Sequence, residues 1–184
     1  MKKIILILVI LASSQVKAQF IKEKTLDVSI GLGYSFPDED IDIAGSGFYF
    51  QGEYVLVITN WIDVRPYAGI ILTRFDGKDF DGNPTIYKST SNAFLMGAKT
   101  RLRAPIPWVA PFIEMGVGLS IGSFETFTPY TDIDKSGLIP HIPITLGLEL
   151  GRKHNFDVGI LYYLHPSAEQ FTGALAFGFS IPLN

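Results

Sequence analysis

Three residues close to the carboxyl end carry the side chains that nucleophilic catalysis needs. His165, Ser167 and Glu169 would supply the general base, the nucleophile and the acid that orients the base. Glu169 is the only acid near this pair in the sequence, however, and a His-x-Ser spacing arises easily by chance. We therefore expect no catalytic residues and predict that the chain is not an enzyme.

Metal-binding chemistry is also weakly supported. The segment Asp76–Asn83 combines oxygen ligands with glycines, as calcium loops do, but it lacks their full spacing and the closing Glu, so solvated turns explain it better. The three histidines, His141, His154 and His165, are too dispersed along the chain to predict a zinc site. The sequence accordingly predicts no metal and no cofactor.

The stretch Thr25–Phe36 shows the kind of element that would position polar side chains. Its apolar residues occupy the even positions from Leu26 to Phe36, whereas Asp27, the serines and the glycines occupy the odd positions. A period of two indicates a β-strand, because successive side chains leave the backbone on opposite faces. Seven further segments repeat this alternation. Pro66 within the third predicts a bulge, since proline cannot donate to the strand ladder.

Connections between these segments alternate in length. Long polar connections at Pro37–Ser46, Phe75–Ser91 and about Phe124–Gly137 follow the first, third and fifth segments, and short ones follow the second, fourth and sixth. Strands of about 10 to 14 residues can each cross a bilayer at a tilt. The predicted fold is all-β: an eight-stranded antiparallel up-and-down transmembrane β-barrel with one long-loop rim and one short-turn rim.

Ten charged residues occupy the strand positions that alternate with the apolar ones. Their side chains should therefore face the lumen. An unpaired charge there would cost several kcal/mol, so we expect a network in which Arg101, Lys99 or Arg65 reaches Glu149 and Asp157. An ion or proton path is the functional alternative, but an eight-stranded barrel is just wide enough to be filled by its own side chains. The predicted lumen network comprises Asp27, Glu53, Asp63, Arg65, Lys99, Arg101, Arg103, Glu114, Glu149 and Asp157.

Composition favours membrane over water outside the barrel. Apolar residues make up 47% of the chain and charged residues 18%, and no uninterrupted apolar run is long enough for a transmembrane helix. A soluble barrel of the lipocalin kind also alternates, but its exterior is densely charged. Here the apolar positions of the predicted strands carry essentially no charge, except Arg74 at a strand end. We therefore expect the apolar face to contact lipid.

The amino terminus predicts export. Residues 1–18 combine a basic start, the apolar run Ile4–Ala12 and a small-residue cleavage site ending at Ala18, which is typical of a signal peptide. The barrel domain would then span residues 19–184. Three of the 15 basic residues lie in the signal peptide, so the mature chain has 12 bases against 18 acids, a balance that disfavours nucleic acid as a partner.

Aromatic residues should mark the two membrane interfaces, where amphipathic rings are favoured. Tyr34 and Phe36 would lie toward the long-loop rim, and Trp61, Trp108 and Phe156 near the short-turn rim.

The mature chain resembles the small eight-stranded outer-membrane barrels of Gram-negative bacteria, of the OmpX and OmpA transmembrane type. The resemblance rests on the alternation in Leu26–Phe36, the lumen charges and the last segment, Ala174–Asn184. It implies a bacterial outer-membrane location, contact with lipid and lipopolysaccharide, and insertion by the barrel-assembly machinery. Such barrels usually end on an aromatic residue, whereas this chain ends Leu183-Asn184, so recognition would rest on Phe177 and Phe179.

The resulting functional hypothesis is a non-catalytic outer-membrane barrel that is structural, adhesive or an accessory subunit of an envelope complex. Its acidic outer loops would contact other envelope proteins. A narrow channel is one alternative. A lipid-modifying enzyme is the other, because His165-Pro166-Ser167 resembles the His-x-Ser of outer-membrane lipid A deacylases. Such an enzyme must show its site to lipid, whereas His165 has the parity of the lumen.

Overall fold

The computed structural model of the chain describes residues 21–39 and 41–183, so the predicted signal peptide and its cleavage site lie outside the described residues. Eight strands account for most of this part of the chain. They are β1 (Glu23–Pro37), β2 (Gly45–Val57), β3 (Ile62–Arg74), β4 (Lys88–Arg103), β5 (Trp108–Phe127), β6 (Asp132–Gly151), β7 (Phe156–His165) and β8 (Gln170–Leu183).

The strands form one closed antiparallel barrel in which each strand pairs with the next along the chain. β8 closes the barrel by pairing with β1 from Lys24↔Leu183 to Pro37↔Gln170. Closure removes the free sheet edges, so the backbone polar groups of neighbouring strands satisfy one another. The predicted eight-stranded up-and-down barrel is confirmed.

None of the described residues belongs to a helix long and apolar enough to cross a membrane.

The exterior is a belt of exposed apolar side chains. Leu32, Val117, Leu146 and Phe177 each expose more than half of their surface, although all four lie well inside strands. Among the described strands, the exposed charged residues lie near strand ends or in the outer part of the β5–β6 hairpin: Glu23, Lys24, Arg74, Asp132, Asp134 and Lys135. Such a surface suits acyl chains, because charge at the bilayer midplane is costly on the lipid face.

The interior is filled by the side chains that alternate with the exposed apolar ones along the strands. Its apolar part is a cluster that includes Tyr49, Leu95, Phe124 and Tyr163, all of them almost fully buried. This cluster lies toward the long-loop rim, and the charged residues described below lie toward the short-turn rim.

The fifth connection is shorter than predicted, because the segment Phe124–Gly137 is mostly strand. β5 and β6 pair as far as Phe127↔Asp132, which leaves only residues 128–131 as the connecting turn. β6 meets β7 only from Ile142 onward, so the outer half of this hairpin rises above the barrel. Inward-facing residues of β5 hold this hairpin to the rest of the barrel. Phe124 is fully buried, and Thr126 Oγ1 donates to the carbonyl oxygen of Ala168 in the β7–β8 turn at 3.1 Å. Strand structure therefore continues where the composition suggests a loop.

The bulge predicted at Pro66 is wrong. The β2–β3 register is the same on both sides of Pro66, with Glu53↔Tyr67 before and Leu56↔Val64 after, so no extra residue is inserted. On its other side Pro66 pairs in register with Ala98 of β4. The proline interrupts the ladder locally without shifting it.

The two rims carry the aromatic residues where the sequence places them. Trp61, Trp108 and Phe156 are each more than half exposed and lie at the short-turn rim, formed by residues 58–61, 104–107 and 152–155. Tyr34 stacks on Phe36 at a centroid distance of 6.1 Å near the long-loop rim, formed by residues 38–44, 75–87, 128–131 and 166–169. Their role as interface anchors stays a prediction.

Candidate functional site

Alternation along seven strands delivers the charged residues to one half of the lumen. Asp63 and Arg65 are two apart on β3, and Lys99, Arg101 and Arg103 are two apart on β4, so each set leaves its strand on the inner face. β1, β2, β5, β6 and β7 contribute one carboxylate each: Asp27, Glu53, Glu114, Glu149 and Asp157.

Arg65 is the centre of the part of the network nearest β1–β3. Its Nη1 lies 2.7 Å from Asp27 Oδ2 and 3.0 Å from Glu53 Oε2, and its Nε lies 2.7 Å from Asp63 Oδ1. The guanidinium thus donates to carboxylates of three different strands. Planar donors fixed in a fork suit this role better than an ammonium group would.

Arg101 is the centre of the opposite part. Glu149 and Asp157 are directly paired across β6 and β7, which sets two acids side by side. Arg101 Nη1 lies 2.7 Å from Glu149 Oε1, Arg101 Nη2 lies 3.2 Å from Asp157 Oδ2, and Nε donates to Glu114 Oε1 at 2.6 Å. The guanidinium also lies 3.7 Å from the ring centroid of Phe112. The Arg101 guanidinium thereby offsets the repulsion between Glu149 and Asp157.

Lys99 and Arg103 join the two parts. Lys99 Nζ lies 2.7 Å from Glu53 Oε1 and 2.6 Å from Glu114 Oε2. Arg103 contacts Asp63, and its Nη1 lies 2.9 Å from Glu149 Oε2. The structure therefore brings all ten predicted lumen residues into one continuous network of six carboxylates and four cations.

A polar chain extends from this network into the apolar half of the lumen. Gln51 Nε2 donates to Glu53 Oε1 at 2.8 Å, and Tyr163 Oη donates to Gln51 Oε1 at 2.6 Å. The hydroxyl of Tyr163 lies 3.1 Å from that of Tyr49. These side chains form hydrogen bonds to one another, so they extend the network into the apolar half of the lumen.

A histidine–serine cluster, which the sequence did not predict, occupies the lumen between the tyrosines and the long-loop rim. Ser120 Oγ lies 2.6 Å from His141 Nδ1 and 2.8 Å from His165 Nε2. His141 Nε2 bonds the hydroxyl of Tyr67. The view that the histidines are dispersed is wrong for this pair, although His154 lies apart in the turn 152–155 and contacts the Ile106 carbonyl. The signal was present, because Ser120, His141 and His165 share the inward parity of adjacent strands.

No group of three His, Cys, Asp or Glu side chains with metal-binding geometry occurs among residues 21–39 and 41–183. The two imidazoles instead use their ring nitrogens on hydroxyl groups.

The three residues considered for catalysis are not brought together. The His165 ring points into the lumen toward Ser120, whereas Ser167 lies in the β7–β8 turn, where Lys135 bonds its carbonyl oxygen. Glu169 accepts a hydrogen bond from Thr131 Oγ1 at 2.8 Å. Ser167 Oγ has no hydrogen-bond partner within the described part of the chain, so no base is positioned to activate it.

The segment considered for calcium closes on itself. The Asn83 N–H donates to Asp79 Oδ1 at 2.7 Å and lowers the pKa of Asp79, and the Asn83 side-chain amide donates to Asp79 Oδ2 at 3.2 Å. The Asp79 carboxylate is therefore already engaged in holding a turn, in agreement with the interpretation as solvated turns.

Comparison with known proteins places the fold. No protein-family model and no curated protein matches the chain. Among solved structures it is similar to Neisserial surface protein A, at 11% identity over 87% of this chain and 97% of that one, with a TM-score of 0.57. It is also similar to the attachment invasion locus protein Ail of Yersinia pestis (18% identity, 86% and 99% coverage, TM-score 0.48) and to the outer membrane enzyme PagL (17%, 85% and 99%, 0.49).

The likeness to Neisserial surface protein A supports a shared fold, and at 11% identity it says nothing of a shared activity. The closed eight-stranded architecture, the apolar belt and the likeness to Neisserial surface protein A together make the chain a small outer-membrane β-barrel. The predicted fold class, the resemblance and the outer-membrane location are confirmed.

Replacing Arg101 with Met tests the charge network. Arg101→Met keeps most of the side-chain volume but leaves Glu114, Glu149 and Asp157 without their shared cation. We expect a loss of about 3–5 kcal/mol in the free energy of unfolding, as is usual when one partner of a buried ion pair is removed. Denaturant titration of the barrel folded in phospholipid vesicles would measure this loss.

The matched control is Arg74→Met, which removes the same group from an exposed strand end. It should change the free energy of unfolding little. Equal losses for the two variants would mean that the lumen network contributes no more to stability than a surface arginine does.

Proposed function

We propose that this outer-membrane barrel is a non-catalytic protein of the cell envelope, with a sealed lumen and an acidic long-loop rim that meets an external partner. The observation that carries the proposal is the filling of the lumen. Arg65, Arg101, Gln51, Tyr49 and Tyr163 belong to one set of connected, buried side chains that extends from the short-turn half into the apolar half.

A narrow channel is disfavoured by the space left inside the network. The void bounded by Asp27, Lys99, Arg101 and Glu114 amounts to about 20 Å³. A void of this size has room for about one water molecule, so it cannot hold a column of water. Moving an ion through it would first require ion pairs of the network to break.

Conductance of the purified barrel in a planar bilayer tests the seal. Because the lumen side chains block water, we expect no stepwise current at any applied voltage. Protease protection of the same preparation would show that the barrel has inserted. Stepwise currents from inserted wild-type protein would contradict a sealed lumen and favour the channel hypothesis.

Catalysis at Ser167 is disfavoured by geometry, because the His165 imidazole bonds Ser120 inside the lumen. Radiolabelled lipid A, incubated with the wild type and with Ser167→Ala, tests this directly. We expect no acyl release above background from either protein. Release by the wild type that is lost in Ser167→Ala would contradict the non-catalytic assignment and place the chain among lipid-modifying enzymes.

The long-loop rim supports a role in contact with a basic partner. The four connections predicted from the sequence at this rim together hold eleven acids and only three bases, Lys78, Lys88 and Lys135; they are Pro37–Ser46, Phe75–Ser91, about Phe124–Gly137 and about His165–Gln170. Lys88 is paired with Glu125, and Lys135 is engaged with the Ser167 carbonyl oxygen. Asp76, Asp81, Asp132 and Asp134 remain exposed, so the rim presents a negative surface to whatever approaches it. Charge of this kind raises association rates and specificity for a surface of opposite sign.

A quantitative pull-down from detergent-extracted envelopes tests the role of the rim. The bait would be the wild type or a variant in which Asp76, Asp81, Asp132 and Asp134 are each changed to Asn, and Glu23→Gln at the opposite rim serves as the control. We expect a bound species that is lost in the fourfold variant, is kept in the control and weakens as salt rises. Equal recovery by all three baits would contradict a role for the acidic rim.

A further inference from the structure

The outer wall of the barrel carries an apolar groove just below the β7–β8 turn. A row of outward-facing residues crosses four strands here, next to the long-loop rim. Leu164 of β7 pairs with Ile142 of β6 on one side and with Phe171 of β8 on the other. Phe171 in turn pairs with Phe36 of β1. The four side chains therefore form a continuous apolar ridge across the wall.

The next row, two residues farther from the rim, lacks one side chain. Tyr162 of β7 pairs with Gly173 of β8, and a side chain at Gly173 would begin 3.7 Å from Tyr162 Cδ1. The tyrosine ring thus lies against β8, where glycine leaves room for it. Between the two rows runs a groove of about 350 Å³, lined by Phe36, Ile144, Tyr162, Leu164 and Phe171.

Carboxylates stand at the outer end of this groove. A recess of about 190 Å³ shares Leu164 and Phe171 with the groove, and Asp38 forms part of its wall. The Asp38 N–H donates to the carbonyl oxygen of Glu169 at 3.0 Å, so the two residues lie side by side. Asp38 follows Phe36 by two residues, roughly 7 Å along an extended chain. Both acidic side chains are exposed.

The charge around this end is negative. Thr131 Oγ1 lies 2.6 Å from Glu39 Oε1 and 2.8 Å from Glu169 Oε2, which brings a third acid beside the other two. The nearby base is Lys135, which bonds the carbonyl oxygen of Ser167 in the β7–β8 turn. Within residues 21–39 and 41–183, no ion pair involves Asp38, Glu39 or Glu169. An approaching cation is therefore favoured over an anion.

These two features select an amphiphile as the occupant. The groove opens toward the acyl chains that surround the barrel, and its volume lies within the range of roughly 300–1,000 Å³ usual for ligand sites. We propose that it binds a single-chain amphiphile with a cationic head group, of the alkylammonium class. The chain lies along Leu164 and Phe171, and the ammonium group lies beside Asp38 and Glu169.

A second depression on the same apolar belt serves as an internal control. It lies on β3, β4 and β5, has a volume of about 420 Å³, and includes Val64, Ala98 and Met115 in its wall. No carboxylate lines it. An alkyl chain should enter this depression without regard to its head group, because apolar contact alone favours it there.

Paramagnetic broadening of amide signals tests the site in the isotope-labelled barrel in phospholipid nanodiscs. Three long-chain probes carry the same nitroxide on the chain and differ in the head group: trimethylammonium, hydroxyl or carboxylate. The cationic probe should broaden Leu164 and Phe171 at a concentration about threefold or more lower than the neutral probe needs. This preference should decline as salt rises. Ala98 and Met115 should respond equally to both probes.

Two pairs of substitutions assign the preference to the groove. Asp38→Asn with Glu169→Gln should abolish it, whereas Asp132→Asn with Asp134→Asn removes two acids of the β5–β6 hairpin and should leave it unchanged. Amide spectra that match the wild type would show that both variants are folded. The hairpin variant also removes acids on which the proposed rim partner depends, so this inference and the proposed function fail separately.

Three results would overturn the inference. Equal broadening of Leu164 and Phe171 by the cationic and neutral probes would mean that ordinary bilayer lipid covers the groove. A preference for the carboxylate probe would mean that Lys135 outweighs the acids. A cation preference that survives Asp38→Asn with Glu169→Gln, or is lost alike in both variants, would mean that the net charge of the rim, and not this site, attracts the probe.

Discussion

The lumen holds a network of ten charged side chains inside a lipid-facing shell. These charges must be neutralised where they lie, because neither face of the sheet offers bulk water in the middle of the barrel. Arg65 and Arg101 meet this constraint by each bridging carboxylates from several strands, and Lys99 links the two parts. The strands are therefore joined twice, by backbone ladders around the wall and by charge-assisted bonds across the interior. Removing either set leaves polar groups buried without partners.

Small residues make room for this filling. At Gly118 a side chain would collide with the Tyr67 hydroxyl and with His141 Nε2, so glycine there lets the two groups meet. At Gly178 a side chain would collide with the Asp157 carboxylate. These two glycines thus provide the space that the large polar side chains next to them occupy. The same packing fills the middle of the lumen with side chains.

Parity along the strands predicted most of the architecture and the membership of the charge network, since alternation is a local property of the sequence. It could not predict which charges pair, because distance across a barrel depends on strand tilt and stagger rather than on neighbours in the chain. The contact of His141 with Ser120 and the long β5–β6 hairpin were missed for related reasons. At a wet rim, polar composition is compatible with a loop or with a strand, and only the pairing of Phe124 and its neighbours decides between them.

The most direct test of the account concerns which solvent the exterior of the barrel meets. The chain contains no cysteine, so single nitroxide labels can be attached through Met115→Cys, Val117→Cys, Leu119→Cys and Ile121→Cys on β5, with Gly82→Cys as a loop reference. In bilayers, we expect the four β5 labels to collide freely with dissolved oxygen and to be shielded from a water-soluble nickel complex, unlike the loop label. Equal exposure of all five labels to the nickel complex would contradict it.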